Sequence, residues 1–223
     1  MSAVNILIAL GVIIFSYLVG SVNFAVIFSK IFTGKDVRSE GSGNAGTTNV
    51  LRAIGKLPAA LTFIFDALKG FVACFAGKMV FAYLYSISGE EIFISVYGAY
   101  ICCIAVMFGH IYPVFFGFKG GKAVATSVGT FAVCCPIAII FGLIAFAVCL
   151  AVSKIVSLSS LVSAVMVVAV AILYSVFSPQ VDYNILPVVI LALLAGVIVF
   201  VKHKDNIIRL SRGEEKKISA KRA

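Results

Sequence analysis

Charge is scarce in this sequence. Asp, Glu, Lys and Arg make up 12% of its 223 residues, against roughly 25% in an ordinary soluble domain, which excludes a typical cytosolic enzyme. Low hydrophobicity, the mark of disorder, is missing too. There is no H-x-x-x-x-D pair, no carboxylate pair placed for acid–base work and no CxxC spacing. The six cysteines (Cys74, Cys102, Cys103, Cys134, Cys135 and Cys149) sit in apolar stretches without a neighbouring His, and read as small buried hydrophobes. Residues 3–29 lack a basic leading region and run apolar for about 25 residues, longer than the core of a cleavable signal.

What remains is hydrophobic. Apolar residues make up 62% of the chain and the mean hydropathy is +1.14, so the expected solvent is a bilayer. At about 20 residues per spanning helix, the chain holds at most about eight spans and almost no extramembrane domain. It reads as a single membrane domain over 1–223. The 18 Lys+Arg outnumber nine Asp+Glu and cluster at 30–56, at Lys119 and Lys122, at Lys154 and in the tail from Lys202. Such clusters orient a membrane protein and meet anionic headgroups; no separate basic domain points to nucleic acid.

Apolar segments run at 3–29, 57–85, 92–116, 123–153, 157–177 and 185–201. Six spans would put Lys154 and the basic tail outside the cell once 30–56 is inside. Splitting 123–153 at Cys134-Cys135-Pro136, where proline disfavours helix, returns every basic cluster to the cytoplasm. The expected fold is therefore all-α and polytopic, with seven transmembrane helices, N-terminus out and C-terminus in. One helix, at 120–134, rises only about 20 Å, short of a core about 30 Å thick.

The candidate chemistry lies in the cytoplasmic loops. Gly41-Ser42-Gly43-Asn44-Ala45-Gly46-Thr47-Thr48-Asn49 to Arg52 contains G-x-G-x-x-G, but follows a membrane helix rather than a strand, so a dinucleotide fold is excluded. Its glycines predict a tight turn with open amides, its Ser, Thr and Asn residues neutral donors, and Arg52 a two-pronged cation for phosphate. The second stretch, Gly109-His110 to Lys119-Gly120-Gly121-Lys122-Ala123 and Thr126, is not a Walker A, because Phe116 and Ala123 break the pattern. Two lysines flanking Gly-Gly before a short helix still predict mobile cations and exposed amides. His110 stands near the end of its helix, placed either to cap it or to act in catalysis. Asp66 and Lys69, three residues apart and followed by Gly70, share a helix face, where ionisable residues are costly and an ion pair or a site role is expected. The tail from Lys202 to Glu215 is expected to continue the last helix, with His203 and Asn206 on one face.

These stretches, with Asp66–Gly70 and the tail from His203 to Glu215, resemble the bacterial acyl-phosphate:glycerol-3-phosphate acyltransferase family over essentially the whole chain. The resemblance implies transfer of a fatty acyl group from acyl phosphate to the 1-hydroxyl of glycerol 3-phosphate. The products would be lysophosphatidic acid and phosphate, made without coenzyme A, acyl carrier protein, cofactor or metal. It implies a site facing the cytoplasm at the bacterial inner membrane. Ser42, Arg52, one or both of Lys119 and Lys122, His203 and Asn206 match the family's substrate-handling positions. Gly41–Asn49 and Lys119–Thr126 look like its phosphate-binding motifs, and Glu215 matches its tail carboxylate. Ala123 stands where glycine is common, which is expected to restrict the second loop. The competing reading from the residues is a membrane transporter for phosphate or an organic phosphate.

Overall fold

The computed structural model describes residues 2–177 and 185–218, and among these there are helices and turns but no strand. The chain divides into two compact units, Met1–Cys134 and Cys135–Ala223.

The first unit begins with α1 (Ala3–Ser21) and α2 (Phe24–Thr33), which together form one apolar span of 31 residues. The expected single helix is broken at Val22 and Asn23, both in extended backbone. Asn23 makes the break tolerable by accepting a hydrogen bond from the Val26 amide through Oδ1 at 3.1 Å, capping α2. A short α3 (Thr47–Ala53) follows, then α4 (Lys56–Ser88), whose 33 residues extend about 50 Å. The basic loop at 30–56 and the acidic turn at Glu90 and Glu91 therefore lie at opposite ends of α4. α5 (Ser95–Ile111) returns along it, and α6 (Val124–Cys134) closes the unit.

α4 is the hub, packed against α1, α2, α3, α5 and α6. Small residues allow the approach to α6: a Cβ on Gly70 would overlap the Thr126 carbonyl, and one on Gly129 the Ala67 carbonyl. Close backbone contact of this kind holds helices together where lipid removes the hydrophobic drive. α6 is shorter than the expected 120–134, because residues 120–123 are not helical. Its 11 residues rise only about 16 Å, too little to cross a core about 30 Å thick.

The second unit consists of α7 (Pro136–Ser153), α8 (Val156–Phe177), α9 (Ile185–Lys202) and α10 (Lys204–Ser211). The break before Pro136 falls where proline required it, with Pro136 opening α7. α7 ends at Lys154 in a left-handed conformation, α8 packs on both α7 and α9, and Ser163 on α8 donates to the Gly142 carbonyl of α7 at 2.8 Å. One expectation is corrected here: the tail does not continue the last helix but turns by 62° between Lys202 and Lys204. α9 is almost wholly apolar, whereas α10 carries exposed Lys204 and Asp205 and, on another face, buried Asn206 with Arg209 beside it. The chain turns where its pattern changes from apolar to amphipathic.

Among the described residues, five spans are long and apolar enough to cross a membrane, and the bent pair of α9 and α10 makes a sixth if counted as one. Their outer faces stay apolar, with Leu7, Val152 and Phe177 all exposed. This is an integral membrane protein.

Candidate functional site

The first loop is built on a packed floor. Val37, Ala45 and Val50 are buried against Ala25, Val26 and Ala59, so the glycine-rich segment is anchored on α2 and α4. Asn49 clamps it from within. Its Oδ1 accepts from the Ser42 amide at 2.9 Å, and its Nδ2 donates to the Val37 and Glu40 carbonyls at 2.9 and 3.0 Å. Gly41 adopts φ +61°, and a Cβ there would overlap Asn49 Oδ1. The Gly43 and Gly46 amides donate within the loop to Glu40 and Asn44 carbonyls, both at 3.0 Å.

Two expectations are thereby corrected. The amides of Ser42, Gly43 and Gly46 do not open outward as an anion nest, because the turn consumes them. Asn49 has both N–H groups engaged by backbone, so it shapes the loop instead of donating to a ligand. The polar groups this leaves are side chains. Ser42 is exposed; Asn44, Thr47, Thr48 and Arg52 are half-buried.

The second loop leaves α5 at Ile111 and runs past Gly117 and Phe118, both at positive φ. The Gly120 amide donates to the Ile111 carbonyl at 3.2 Å and the Gly121 amide to the His110 carbonyl at 3.1 Å. The Gly-Gly amides are therefore also occupied, which corrects the expectation that they face a ligand, and no helix runs through this stretch because Ala123 holds a left-handed φ of +60°. Lys119 is exposed and Lys122 half-buried. Ala123, fully buried, holds φ +60°, a conformation that suits glycine and strains a residue with a side chain. Thr126 is fully buried at the α4–α6 contact beside Gly70, which makes this pair a packing feature.

The two loops meet. A Cβ on Gly121 would overlap both His110 Nε2 and the Ala45 carbonyl, so the second loop, the first loop and the end of α5 are in contact at one point. Arg38, which motif reading passed over, ties them a second time. Its NH1 donates to the Phe116 carbonyl at 2.7 Å and to the Lys119 carbonyl at 3.3 Å. Its Nε and NH2 grip Asp36. That guanidinium holds the Asp36 carboxyl below its ordinary value, and Asp36 in turn raises Arg38. The sequence signal was there, in the acid and the base two residues apart.

Beneath this junction lies a buried charge cluster. Lys69 Nζ is 2.8 Å from Asp66 Oδ1 and donates to the Val22 carbonyl at 2.7 Å, at the α1–α2 break. His110 Nδ1 is 3.6 Å from the same Asp66 oxygen. All three residues are at most 4% exposed. Among the described residues neither Asp66 oxygen completes a well-directed hydrogen bond; the 2.8 Å contact is a close charge pair of poor hydrogen-bond angle. Asp66 and Lys69, read as site residues, are thus sealed from solvent and act on His110 and on the α1–α2 break.

In the second unit the tail folds back on itself. Glu215 accepts from Ser157 Oγ at 2.9 Å, Asn206 Nδ2 at 2.7 Å and Arg209 Nε at 2.7 Å, and the Ile218 amide donates to the Lys154 carbonyl at 2.7 Å. Burial pushes the Glu215 carboxyl up, but the bonds from Arg209, Asn206 and Ser157 outweigh it and hold it below its ordinary value. Its oxygens are committed to the protein, so Glu215 fixes α10 and orients Asn206. Ser157 and Arg209 are further residues the sequence did not single out. His203, 3% exposed, has Nδ1 2.8 Å from the Val199 carbonyl. A carbonyl only accepts, so Nδ1 carries the proton and Nε2 is the nitrogen that can exchange one.

What the first unit offers chemically is a hydroxyl (Ser42) and ammonium groups (Lys119, Lys122) on two loops in contact, with a guanidinium (Arg52) on α3, which follows the first. That set suits a phosphorylated ligand. The family model described as "Glycerol-3-phosphate acyltransferase" matches residues 10–213. A glycerol-3-phosphate acyltransferase of Francisella tularensis subsp. novicida (strain U112) is 42% identical over 211 residues, covering 95% of this chain and 93% of that protein. One from Chromobacterium violaceum is 40% identical over 221 residues, covering 96% of each. Two crystal structures of PlsY (YgiH), an integral membrane glycerol 3-phosphate acyltransferase, share the fold. The glycerol 3-phosphate form has a TM-score of 0.77 at 33% identity, over 95% of this chain and 96% of that one. The lysophosphatidic acid form has a TM-score of 0.75 at 31% identity, over 95% of each.

Proposed function

The chain belongs to the glycerol-3-phosphate acyltransferase family, and from that membership we propose that it acylates the 1-hydroxyl of glycerol 3-phosphate, with acyl phosphate as donor. The products are lysophosphatidic acid and inorganic phosphate. The observation that carries this reading is the contact of the two loops at Ala45, Gly121 and His110, which sets Arg52 and Lys122 on a common scaffold for two phosphorylated substrates.

Arg52 takes the phosphate of glycerol 3-phosphate by its planar fork. Lys122, half-buried where Lys119 is exposed, is the cation that stabilises charge on the donor phosphate, because burial strengthens its field. Ser42 orients the acceptor hydroxyl. That hydroxyl attacks the acyl carbon, the bond from that carbon to the phosphate oxygen breaks, and the departing phosphate takes the proton. No protein base and no acyl-enzyme is needed, since acyl phosphate is already reactive. His203 and Asn206 serve the same transfer, with Asn206 oriented by Glu215. The half-buried side chains of Asn44 and Thr48 and the exposed Lys119 ammonium form the loop surface that substrates meet; Gly41, Gly43, Gly46, Gly120 and Gly121 give that surface its shape.

Residues 1–223 act as one acyltransferase domain with seven membrane helices, α6 being the short one. The N-terminus is outside, and the C-terminus and site face the cytoplasm at the bacterial inner membrane. The Arg38 bridge between residues 30–56 and Lys119 supports one side for those two basic segments, and the bond from Ile218 to Lys154 does the same for the other two. Neither acyl-CoA nor acyl carrier protein serves as donor.

Steady-state kinetics of three variants test the assignment. Arg52→Lys raises KM for glycerol 3-phosphate, with a loss of about 1.5–3 kcal/mol in kcat/KM. Lys122→Ala lowers kcat, and by more than Lys119→Ala does. Equal, small effects of all three would remove the loops from the reaction, and uptake of labelled glycerol 3-phosphate into liposomes without acylation would make the protein a transporter.

A further inference from the structure

The cysteines carry an arrangement that their sequence spacing hid. Cys74 on α4, Cys103 on α5 and Cys134 at the end of α6 bring their sulfur atoms within 4.8 Å of one another. Cys74 and Cys103 are fully buried, Cys134 half-buried, and none of the six cysteines is in a disulfide. A fourth sulfur adjoins the group: the thioether of fully buried Met107 is 3.9 Å from Cys103 Sγ. The neighbouring Cys102 turns the other way, with its thiol on the Val12 carbonyl of α1 at 3.9 Å. Three helices thus converge on sulfur at one point, with no carboxylate or imidazole in the group.

We propose that Cys74, Cys103 and Cys134 form a binding site for a soft monovalent d10 cation, Cu(I) in class. Sulfur-only donors exclude hard ions such as Mg²⁺ and Ca²⁺ and select soft ones. A metal–sulfur bond of about 2.3 Å, as in zinc thiolates, sets the three sulfurs of a trigonal centre about 4 Å apart. The cluster meets that spacing with sub-ångström contraction. Charge decides between soft ions. The cost of desolvating an ion rises with the square of its charge, so an apolar helix junction favours the monovalent one. One thiolate with two neutral sulfur donors then leaves the occupied site uncharged. Binding displaces a single thiol proton to water and moves no electron. Half-buried Cys134, the last residue of α6, provides the point of entry.

Occupancy would tie the far end of α6 to α4 and α5. The ion takes no step in acyl transfer, and the site stands independently of that reading. Its effect is on stability, because a ligand that binds only the folded state raises the unfolding temperature.

The test is an anaerobic titration of the full chain in detergent with Cu(I) buffered by bicinchoninate. The wild type retains a single equivalent against the chelator, develops an ultraviolet sulfur-to-copper charge-transfer band, and unfolds at higher temperature. Cys103→Ala and Cys134→Ser each lose the band and at least about tenfold in affinity, while Cys149→Ser keeps both. Cys134→Ser changes a half-buried side chain, so it reads the site even if Cys103→Ala misfolds. No copper retained by the wild type, equal retention in Cys134→Ser, or preference for Zn²⁺ over Cu(I) would overturn the assignment.

Discussion

Gly121 has no side chain because Nε2 of His110 occupies the space that one would fill. The Ala45 carbonyl closes the same space from the other loop, so three segments of the first unit share one contact. A methyl group there has to displace either a backbone carbonyl or a ring held beside Asp66. Gly121→Ala should therefore separate the loops at a cost of about 1–3 kcal/mol. Activity should fall far more than the unfolding temperature in detergent does. A variant with normal turnover would show that the contact is dispensable.

Ala123 makes the opposite case. Its φ of +60° suits glycine, and an L-residue with a side chain loses roughly 1–2 kcal/mol there. Ala123→Gly should raise the midpoint of thermal unfolding, offset in part by the greater freedom of glycine in the unfolded chain. A lower midpoint would mean that the buried methyl contributes more packing than the backbone loses in strain.

The Asp66–Lys69 pair should behave as a buried ion pair. Asp66→Asn leaves the Lys69 charge uncompensated, at about 3–5 kcal/mol, whereas removing both charges with Asp66→Asn/Lys69→Met costs less. The double variant should unfold at a higher temperature than Asp66→Asn alone. Additive losses would show that the two residues stabilise the fold separately.

Acid should loosen the tail in a defined direction. The Glu215 carboxyl sits below its ordinary value of 4.5 in the folded protein. Its contribution to stability is thus complete above that value and is lost as pH falls through the lower, folded one. Asp36 acts with the same sign. Unfolding midpoints followed from pH 7 down to about pH 2.5 should fall less steeply below the ordinary carboxylate value in Glu215→Gln than in the wild type, and the variant should already be weaker at pH 7.

Some of this was legible in the residues and some was not, for identifiable reasons. The break at Cys134–Pro136 could be read because proline and the count of basic clusters pointed to the same place. The Asp66–Lys69 pair followed from helical spacing alone. The turn at His203 was hidden: the change from apolar to amphipathic pattern marks a change of surroundings, but the bend itself depends on Glu215 reaching Asn206 and, more than fifty positions away in sequence, Ser157. The inward amides of both loops were missed for a similar reason: glycine composition shows that a loop can turn, not which carbonyls its N–H groups meet. Asn49 looked like a ligand donor because its role as a clamp needs Val37 and Glu40 folded over it. The thiol cluster joins three helices, and no spacing within one segment could show it.

The most direct test of direct acyl transfer is product formation by the purified protein in lipid nanodiscs, in metal-free buffer, with labelled glycerol 3-phosphate. With palmitoyl phosphate as donor, lysophosphatidic acid and inorganic phosphate should appear in equal amounts, and palmitoyl-CoA should give neither. Comparable lysophosphatidic acid from palmitoyl-CoA, or phosphate release without acylated product, would contradict the account.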